Sequence, residues 1–173
     1  MRNGVLVVGI DPGLSRCGYG VVSDKIQSAG RSGATFISGG VITTPPDAPL
    51  GERLRVFAND IFGLLAEFKP DVVAIERILF RKNAKTAFGV AQAVGLIHMI
   101  CYDATIPVIE YSAAEVKLAV AGHGGASKFQ VQRMVQLLID LGKLPEPPDV
   151  ADAIALGLCH IAKMKGSGMV TSI

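Results

Sequence analysis

The order of the hydrophobic patterns restricts this chain to a small group of folds. Three strand patterns come first, at residues 5–10, 19–22 and 34–43. Helical periodicity then alternates with two short buried strand patterns, at residues 72–75 and 107–111. An antiparallel meander followed by right-handed crossovers predicts an α/β fold, in which a mixed five-stranded sheet is flanked by helices.

The helix patterns lie between the later strands and after them. They cover residues 50–68, 83–102, a segment that begins after Ser112, 127–141 and 149–164. Ser112 precedes Glu115 by the spacing of a capping box, which supports a helix start there. Small residues share one stripe of the helix at residues 83–102, and we expect this stripe to pack against a second copy of the chain.

The length and composition of the chain limit the number of domains and the kinds of partner that can be expected. Its 173 residues suit one domain with a sizeable core, and we expect a short flexible tail from about residue 166. Charged residues make up 18%, below the ~25% that is typical of soluble proteins, so we expect a partner to cover part of the surface. The net charge of +2 does not by itself indicate nucleic-acid binding.

The cysteines and the N-terminal segment indicate the cellular compartment in which the protein is expected. Cys17, Cys101 and Cys159 are far apart and form no Cys-x-x-Cys motif, so we expect buried free thiols in a reducing compartment. The apolar run at residues 5–10 is too short for a signal peptide or a membrane span. We therefore expect a soluble, cytoplasmic protein.

Four acidic residues occupy positions that the predicted sheet would bring together. Asp11 and Glu76 each follow a buried strand, and Asp149 and Asp152 share one face at the start of the last helix. Like charges this close are unfavourable unless a cation lies between them, and oxygen ligands suit Mg²⁺ or Mn²⁺. Four carboxylates can hold two such ions ~3.5–4 Å apart, an arrangement that hydrolyses phosphodiesters.

Each acid also has an ordinary structural interpretation. Asp11 begins an Asp-Pro-Gly turn, and Glu76 is compatible with a solvated strand end. Asp149 suits a helix cap, and Asp152 suits the first turn of a helix. Taken singly, these interpretations are the better ones; taken together, the four positions favour a metal site.

Basic residues follow Glu76 and recur in the second half of the chain. Residues 77–133 contain seven Lys and Arg residues against three Asp and Glu residues, although a solvated helix start would show the same pattern. Cations beside an acidic metal site suit a phosphate backbone. Leu79 and Phe80 would suit a wedge between bases if exposed, although buried core is the ordinary interpretation of either residue alone. The candidate DNA-contacting residues are Arg77, Phe80, Arg81, Lys82, Lys85, Lys117 and Lys128.

Two other kinds of site are excluded by the sequence. The glycine-rich segment at residues 122–128 lacks the Gly-Lys-Ser/Thr ending of a nucleotide-binding P-loop. No serine or cysteine has a convincing histidine partner, so covalent hydrolase chemistry is not expected.

Short motifs spread over most of the chain resemble those of the RuvC family, the bacterial Holliday junction resolvases. The resemblance spans about residues 5–160. The motifs that carry it are Val8-Gly9-Ile10-Asp11-Pro12-Gly13, Gly18-Tyr19-Gly20, Ala74-Ile75-Glu76, Lys82-Asn83, Ala91-Gln92-Ala93, Val116-Lys117 and Asp149-Val150-Ala151-Asp152-Ala153-Ile154-Ala155.

The resemblance implies an RNase H-like fold and a homodimer that cuts four-way DNA junctions in pairs, leaving 5′-phosphate nicks. It implies Mg²⁺ as cofactor, with Mn²⁺ as the alternative and two ions per site. The implied metal ligands and catalytic residues are Asp11, Glu76, Asp149 and Asp152. Lys117 and Lys128 match family lysines at the DNA backbone, and the RuvA–RuvB branch-migration complex is the implied partner.

Two positions depart from the family pattern. Leu79 stands at the first position of an aromatic pair of which Phe80 is kept, and Val94 stands where many relatives have arginine. In the family an aromatic at the position of Leu79 is thought to act at the junction centre, and neither departure changes any of the four acids.

Three alternative functions stay open from the sequence. One is a nuclease of the same fold that acts on structured RNA, as proposed for YqgF-like proteins. Another is a nucleotide-binding domain of the actin or sugar-kinase kind, although such proteins usually need two lobes. The third is a junction-binding protein without catalysis, against which the complete set of acids argues.

Overall fold

The computed structural model describes residues 4–24, 33–77 and 84–166, with the side chains of residues 84–86 excepted. The described strands are β1 (Leu6–Asp11), β2 (Arg16–Ser23), β3 (Thr35–Thr43), β4 (Val72–Glu76) and β5 (Val108–Tyr111). The described helices are α1 (Leu50–Phe68), α2 (Ala84–Asp103), α3 (Ala113–Ala121), α4 (Lys128–Leu138) and α5 (Pro148–Met164).

The five strands form one mixed sheet in the order β3-β2-β1-β4-β5. β1 pairs antiparallel with β2, and β2 pairs antiparallel with β3, as expected for a meander. β4 and β5 continue the sheet parallel to β1. The predicted α/β architecture is therefore confirmed, and the carboxyl ends of β1, β4 and β5 open at one edge.

Helices cover both faces of the sheet, which explains the uninterrupted apolar run in β1. Val7 and Val8 are both fully buried but belong to opposite layers of the core. Val8 packs in the layer of α1 and α2 with Phe57, while Val7 packs in the layer of α3, α4 and α5 with Ile154. Burying each such side chain stabilises the fold by roughly 1.5–3 kcal/mol.

Helix α5 lies directly on β1 and β2 because glycines leave room for its backbone. A Cβ atom added at Gly9 would stand 1.9 Å from the carbonyl oxygen of Ala153, and one at Gly18 would stand 2.2 Å from that of Asp149. No side chain fits in those spaces. The glycines thus bring the first turn of α5 to the sheet edge where β1 ends.

Some boundaries differ from the sequence prediction. Helix α4 ends at Leu138 and not at residue 141, because Asp140 adopts a left-handed φ of 52° and the N–H of Leu141 bonds to the carbonyl oxygen of Gln136. Helix α5 begins one residue early, at Pro148, since proline lacks the N–H that a first turn leaves unpaired. Asp11 and Glu76 are the last residues of their strands and do not follow them.

Two further expectations concern thiols and membranes. The three cysteines are free and buried, as predicted. In the part of the chain that the structure describes, no helix has the length and apolar character needed to cross a membrane.

Candidate active site

Asp11 and Glu76 emerge at the same edge of the sheet. Each is the last residue of its strand, and the strands are parallel neighbours in which Ile10 lies opposite Ile75. Both acids are half-buried. The parallel pairing therefore brings together two carboxylates that are far apart along the chain.

Asp149 and Asp152 reach this edge from the first turns of α5. Each of them is held by a cation from another element. The Nε atom of Arg16, at the start of β2, donates to Oδ2 of Asp149 at 2.8 Å. The Nζ atom of Lys128, at the start of α4, lies 2.6 Å from Oδ2 of Asp152. Both helix carboxylates thus have a protein cation as their immediate partner.

Two capped helices present lysines to the site. Helix α3 begins with a capping box between Ser112 and Glu115, and α4 begins with one between Ser127 and Gln130. The lysines, with Glu76 and Asp152, border a cleft of about 260 Å³ between β4, α3, α4 and α5. Its polar lining consists of Glu76, Lys117, Lys128 and Asp152, and its apolar lining consists of Ala113, Val116, Val131, Ala155 and Leu156.

The four acids are close enough to perturb one another. Burial, followed by the charges of Asp152, Glu76 and Asp149, raises the pKa of Asp11 from 3.8 to about 7, against the opposing charge of Lys128. Burial and the charge of Asp152 likewise raise the pKa of Glu76, although Lys128 and Lys117 oppose this. The site therefore concentrates negative charge that an added cation would relieve.

The acids at the start of α5 differ from Asp11 and Glu76 because each has a basic side chain in contact with it. Burial favours a higher pKa for Asp149, but hydrogen bonds from Arg16 and the backbone, with the charges of Arg16 and Lys128, hold that pKa below its usual range. The hydrogen bond to Asp152 raises the pKa of Lys128. Arg16 thus favours the ionised form of Asp149, the carboxylate that it contacts.

The donor set fits a hard divalent cation. All four acidic side chains offer oxygen atoms, the ligands that Mg²⁺ and Mn²⁺ prefer. Among residues 4–24, 33–77 and 84–166, no three His, Cys, Asp or Glu side chains have the arrangement of a formed metal site. Arg16 and Lys128 stand against two of the oxygen donors, Oδ2 of Asp149 and Oδ2 of Asp152.

The remaining predicted DNA-contacting residues lie apart from this cleft or outside the described residues. The Nη2 atom of Arg77 donates to the carbonyl oxygen of Glu110 at 3.3 Å, and the Nε atom of Arg77 lies 3.9 Å from the carboxylate of Glu110. Lys85 is in the first turn of α2, and its side chain is outside the described part. Phe80, Arg81 and Lys82, like Leu79, also fall outside it. Their DNA contacts stay predictions.

Arg16 and the Tyr111–His160 pair were not among the residues predicted from the sequence. The hairpin register, which pairs Asp11 with Gly18, could have indicated that Arg16 lies at the same end as the acids. Tyr111 pairs with Glu76 across β4 and β5, and its hydroxyl lies 2.7 Å from Nδ1 of His160 on α5. That hydrogen bond ties the strand beside Glu76 to the helix that carries Asp152.

Known proteins are similar to this chain over most of its length. A family model described as crossover junction endodeoxyribonuclease RuvC matches residues 7–160. A relative of that description from Thermomicrobium roseum is 44% identical over 154 residues, covering 89% of this chain and 91% of the relative. Another, from Syntrophomonas wolfei, is 43% identical over 166 residues, covering 96% and 94%.

A solved structure is similar as well. Thermus thermophilus RuvC in complex with Holliday junction substrate is 34% identical, with a TM-score of 0.84, and the match covers 95% of this chain and 98% of that one. Fold and sequence similarity thus lead to the same family. The chain belongs to the crossover junction endodeoxyribonuclease RuvC family.

Proposed function

We propose that this protein is an endonuclease that resolves four-way DNA junctions in recombination and repair, through paired symmetric hydrolysis of phosphodiester bonds that leaves 5′-phosphate nicks. The observation that carries the proposal is the meeting of four carboxylates with two lysines at one sheet edge. Membership of the RuvC family favours junction DNA over structured RNA or a nucleotide as the ligand.

We assign Asp11, Glu76, Asp149 and Asp152 as the catalytic, metal-holding residues, for two Mg²⁺ ions per site with Mn²⁺ as the alternative. Bound there, the ions would activate water and stabilise the leaving oxygen. Lys117 and Lys128 supply positive charge beside Glu76 and Asp152, where a scissile phosphate would need it. Arg16 keeps Asp149 ionised, and therefore ready to act as a ligand, while Lys128 forms an ion pair with Asp152.

The substrate's near-two-fold symmetry calls for two such sites. We propose a homodimer built on the small-residue stripe of α2, a helix whose exposed surface also includes Phe88 and Tyr102, 73% and 84% exposed. We also propose that residues 1–173 form one nuclease domain, that it works in the cytoplasm, and that the RuvA–RuvB complex is its partner. The proposed DNA contacts are Arg77, Phe80, Arg81, Lys82, Lys85, Lys117 and Lys128.

The decisive experiment is cleavage of a labelled mobile four-way DNA junction, compared with a linear duplex and an RNA junction of the same sequence, with and without Mg²⁺. The Glu76→Gln variant is measured beside the wild type. We expect paired nicks in the DNA junction only, lost in the variant while junction binding persists. Equal cutting of duplex, or full activity in Glu76→Gln, would show that the substrate or the site is wrong.

A further inference from the structure

The turn between β1 and β2 has a proposed metal ligand at one end and the partner of a second ligand at the other. Asp11 is the last residue of β1, and Arg16 is the first residue of β2. The Nε atom of Arg16 donates to Oδ2 of Asp149 at 2.8 Å. The path of residues 12–15 therefore places Asp11 directly and influences Asp149 through Arg16.

This turn is held from outside by the residue that follows β3. The hydroxyl of Thr44, a residue only 4% exposed, donates to the carbonyl oxygen of Leu14 at 2.7 Å. The N–H of Thr44 donates to the carbonyl oxygen of Ser15 at 3.4 Å. Thr44 thus holds two successive carbonyl groups of the turn.

Arg53, near the start of α1, adds two further hydrogen bonds. Its Nε atom donates to the hydroxyl of Thr44 at 3.1 Å, and its Nη2 atom donates to the hydroxyl of Ser15 at 2.6 Å. A planar guanidinium serves two acceptors at a fixed spacing, which the ammonium group of a lysine does not reproduce. The helix itself gains nothing from a cation at this position, because the amino end of a helix dipole is already positive.

The site needs such a constraint because its acids repel one another. Asp11 stands among three other carboxylates, whose negative charges oppose its own. Their repulsion favours separation, so the placement of Asp11 depends on how firmly its backbone is fixed. Metal ligands must be held within about 0.5 Å of the productive geometry, and the bonds of Thr44 and Arg53 restrain the turn that carries this ligand.

Building on the proposed function, we propose that Arg53 and Thr44 are positioning residues for the metal site. They do not ligate the ions; they fix the turn that presents Asp11 and Arg16. Removing a group that orients metal ligands typically lowers metal affinity or activity by about 10–100-fold.

The affinity of the full chain for Mn²⁺ alone, measured by titration calorimetry without DNA, tests this role. We expect Arg53→Gln to weaken Mn²⁺ binding about tenfold. Loss of a positive charge by itself would strengthen the binding of a cation, so weaker binding identifies an effect of position. Arg55→Gln is the matched control, because Arg55 is an exposed arginine on the same helix. Wild-type affinity in Arg53→Gln, or equal weakening in Arg55→Gln, would overturn the inference.

A pair of variants at Thr44 tests the same role without changing charge. Thr44→Val keeps the shape of the side chain and removes the hydroxyl, whereas Thr44→Ser keeps the hydroxyl. We expect Thr44→Val to weaken Mn²⁺ binding about tenfold and Thr44→Ser to retain the wild-type affinity. Equal affinities in the two variants would contradict the positioning role, and this pair decides the matter if Arg53→Gln does not fold.

Junction cleavage and junction binding separate this inference from the proposed function. We expect Arg53→Gln to cut a four-way junction about tenfold more slowly at limiting Mg²⁺ and to recover as Mg²⁺ is raised, with unchanged junction affinity in EDTA. Weaker binding in EDTA, with a salt slope reduced by about one, would make Arg53 a phosphate contact and overturn the inference. A wild type that binds Mn²⁺ but cuts no junction would refute the proposed function, while the Mn²⁺ affinities of the variants would still decide the positioning role.

Discussion

The Nζ atom of Lys128 lies 2.6 Å from Oδ2 of Asp152, which joins the start of α4 to the first turns of α5. The charge of Lys128 also opposes the rise in the pKa values of Asp11 and Glu76. One lysine is therefore coupled to acids on β1, β4 and α5. Lys128 is therefore a compensating charge for the carboxylates, and in the proposed function it is also a cation that meets a phosphate.

Replacing that lysine should impair cleavage. We expect Lys128→Gln to slow single-turnover cutting of a four-way junction about 100-fold, because it removes a cation that would act on developing negative charge. Lys165→Gln is the matched control: Lys165 caps the far end of α5, about 20 Å from Asp152 along the helix. An unchanged rate in Lys128→Gln would exclude the proposed role, and Lys128→Arg should recover part of the activity.

Without metal, Asp11 should destabilise the fold at neutral pH. Its pKa is raised from 3.8 to about 7 by burial and by Asp152, Glu76 and Asp149. Between those pH values the unfolded chain releases a proton that the folded chain retains, so stability falls as pH rises from 3.8 to about 7.

Asp11→Asn removes this penalty. We expect its Tm in EDTA to exceed the wild-type Tm by about 3–6 °C at pH 8 and to match it at pH 3.5. Asp60→Asn, an exposed position on α1, should have no such effect. Equal Tm values for Asp11→Asn and the wild type at pH 8 would mean that the acids are less strongly coupled than the structure indicates.

The close approach of α5 to β1 should make Gly9 intolerant of any side chain. A Cβ atom there would stand 1.9 Å from the carbonyl oxygen of Ala153, so Gly9→Ala must displace α5. We expect urea unfolding to show a loss of about 3 kcal/mol, the upper range for overpacking. Gly63→Ala, in open space on α1, should raise stability by about 0.5–1 kcal/mol. Similar effects of the two variants would contradict the packing described.

Glu115 should stabilise the protein against acid. Hydrogen bonds from Lys163 and from the backbone and hydroxyl of Ser112 lower its pKa from 4.5 to about 2. Because the folded pKa is the lower one, this contribution is complete above pH 4.5 and is lost as the pH falls towards 2.

The Glu115→Gln variant should therefore lose stability relative to the wild type at pH 6, with the difference shrinking below pH 4.5. Chemical unfolding at several pH values measures this directly. Glu67→Gln, which removes an exposed acid from α1, provides the charge-matched comparison. A difference between Glu115→Gln and the wild type that does not depend on pH would point to lost packing and not to ionisation.

Many features of the fold could be predicted from patterns among residues that are close together in the sequence. The buried run of β1, the amphipathic face of α1 and the capping box at Ser112 each depend on residues that are near neighbours in sequence. The positions of Asp11 and Glu76 at strand ends followed from the same patterns. The end of α4 could not be predicted in this way. Apolar periodicity predicted that the helix continues, but a left-handed turn at Asp140 follows its end.

The sequence by itself determined the order of the strands and helices, the mixed sheet and the four candidate acids, because periodicity and strand-end positions are local properties. Only the tertiary structure decided which cation meets which acid. Arg16 lies 133 residues from Asp149 along the chain, and their contact depends on α5 lying directly over Gly18. Such a contact follows from how closely two backbones pack, a quantity that no stretch of sequence contains on its own.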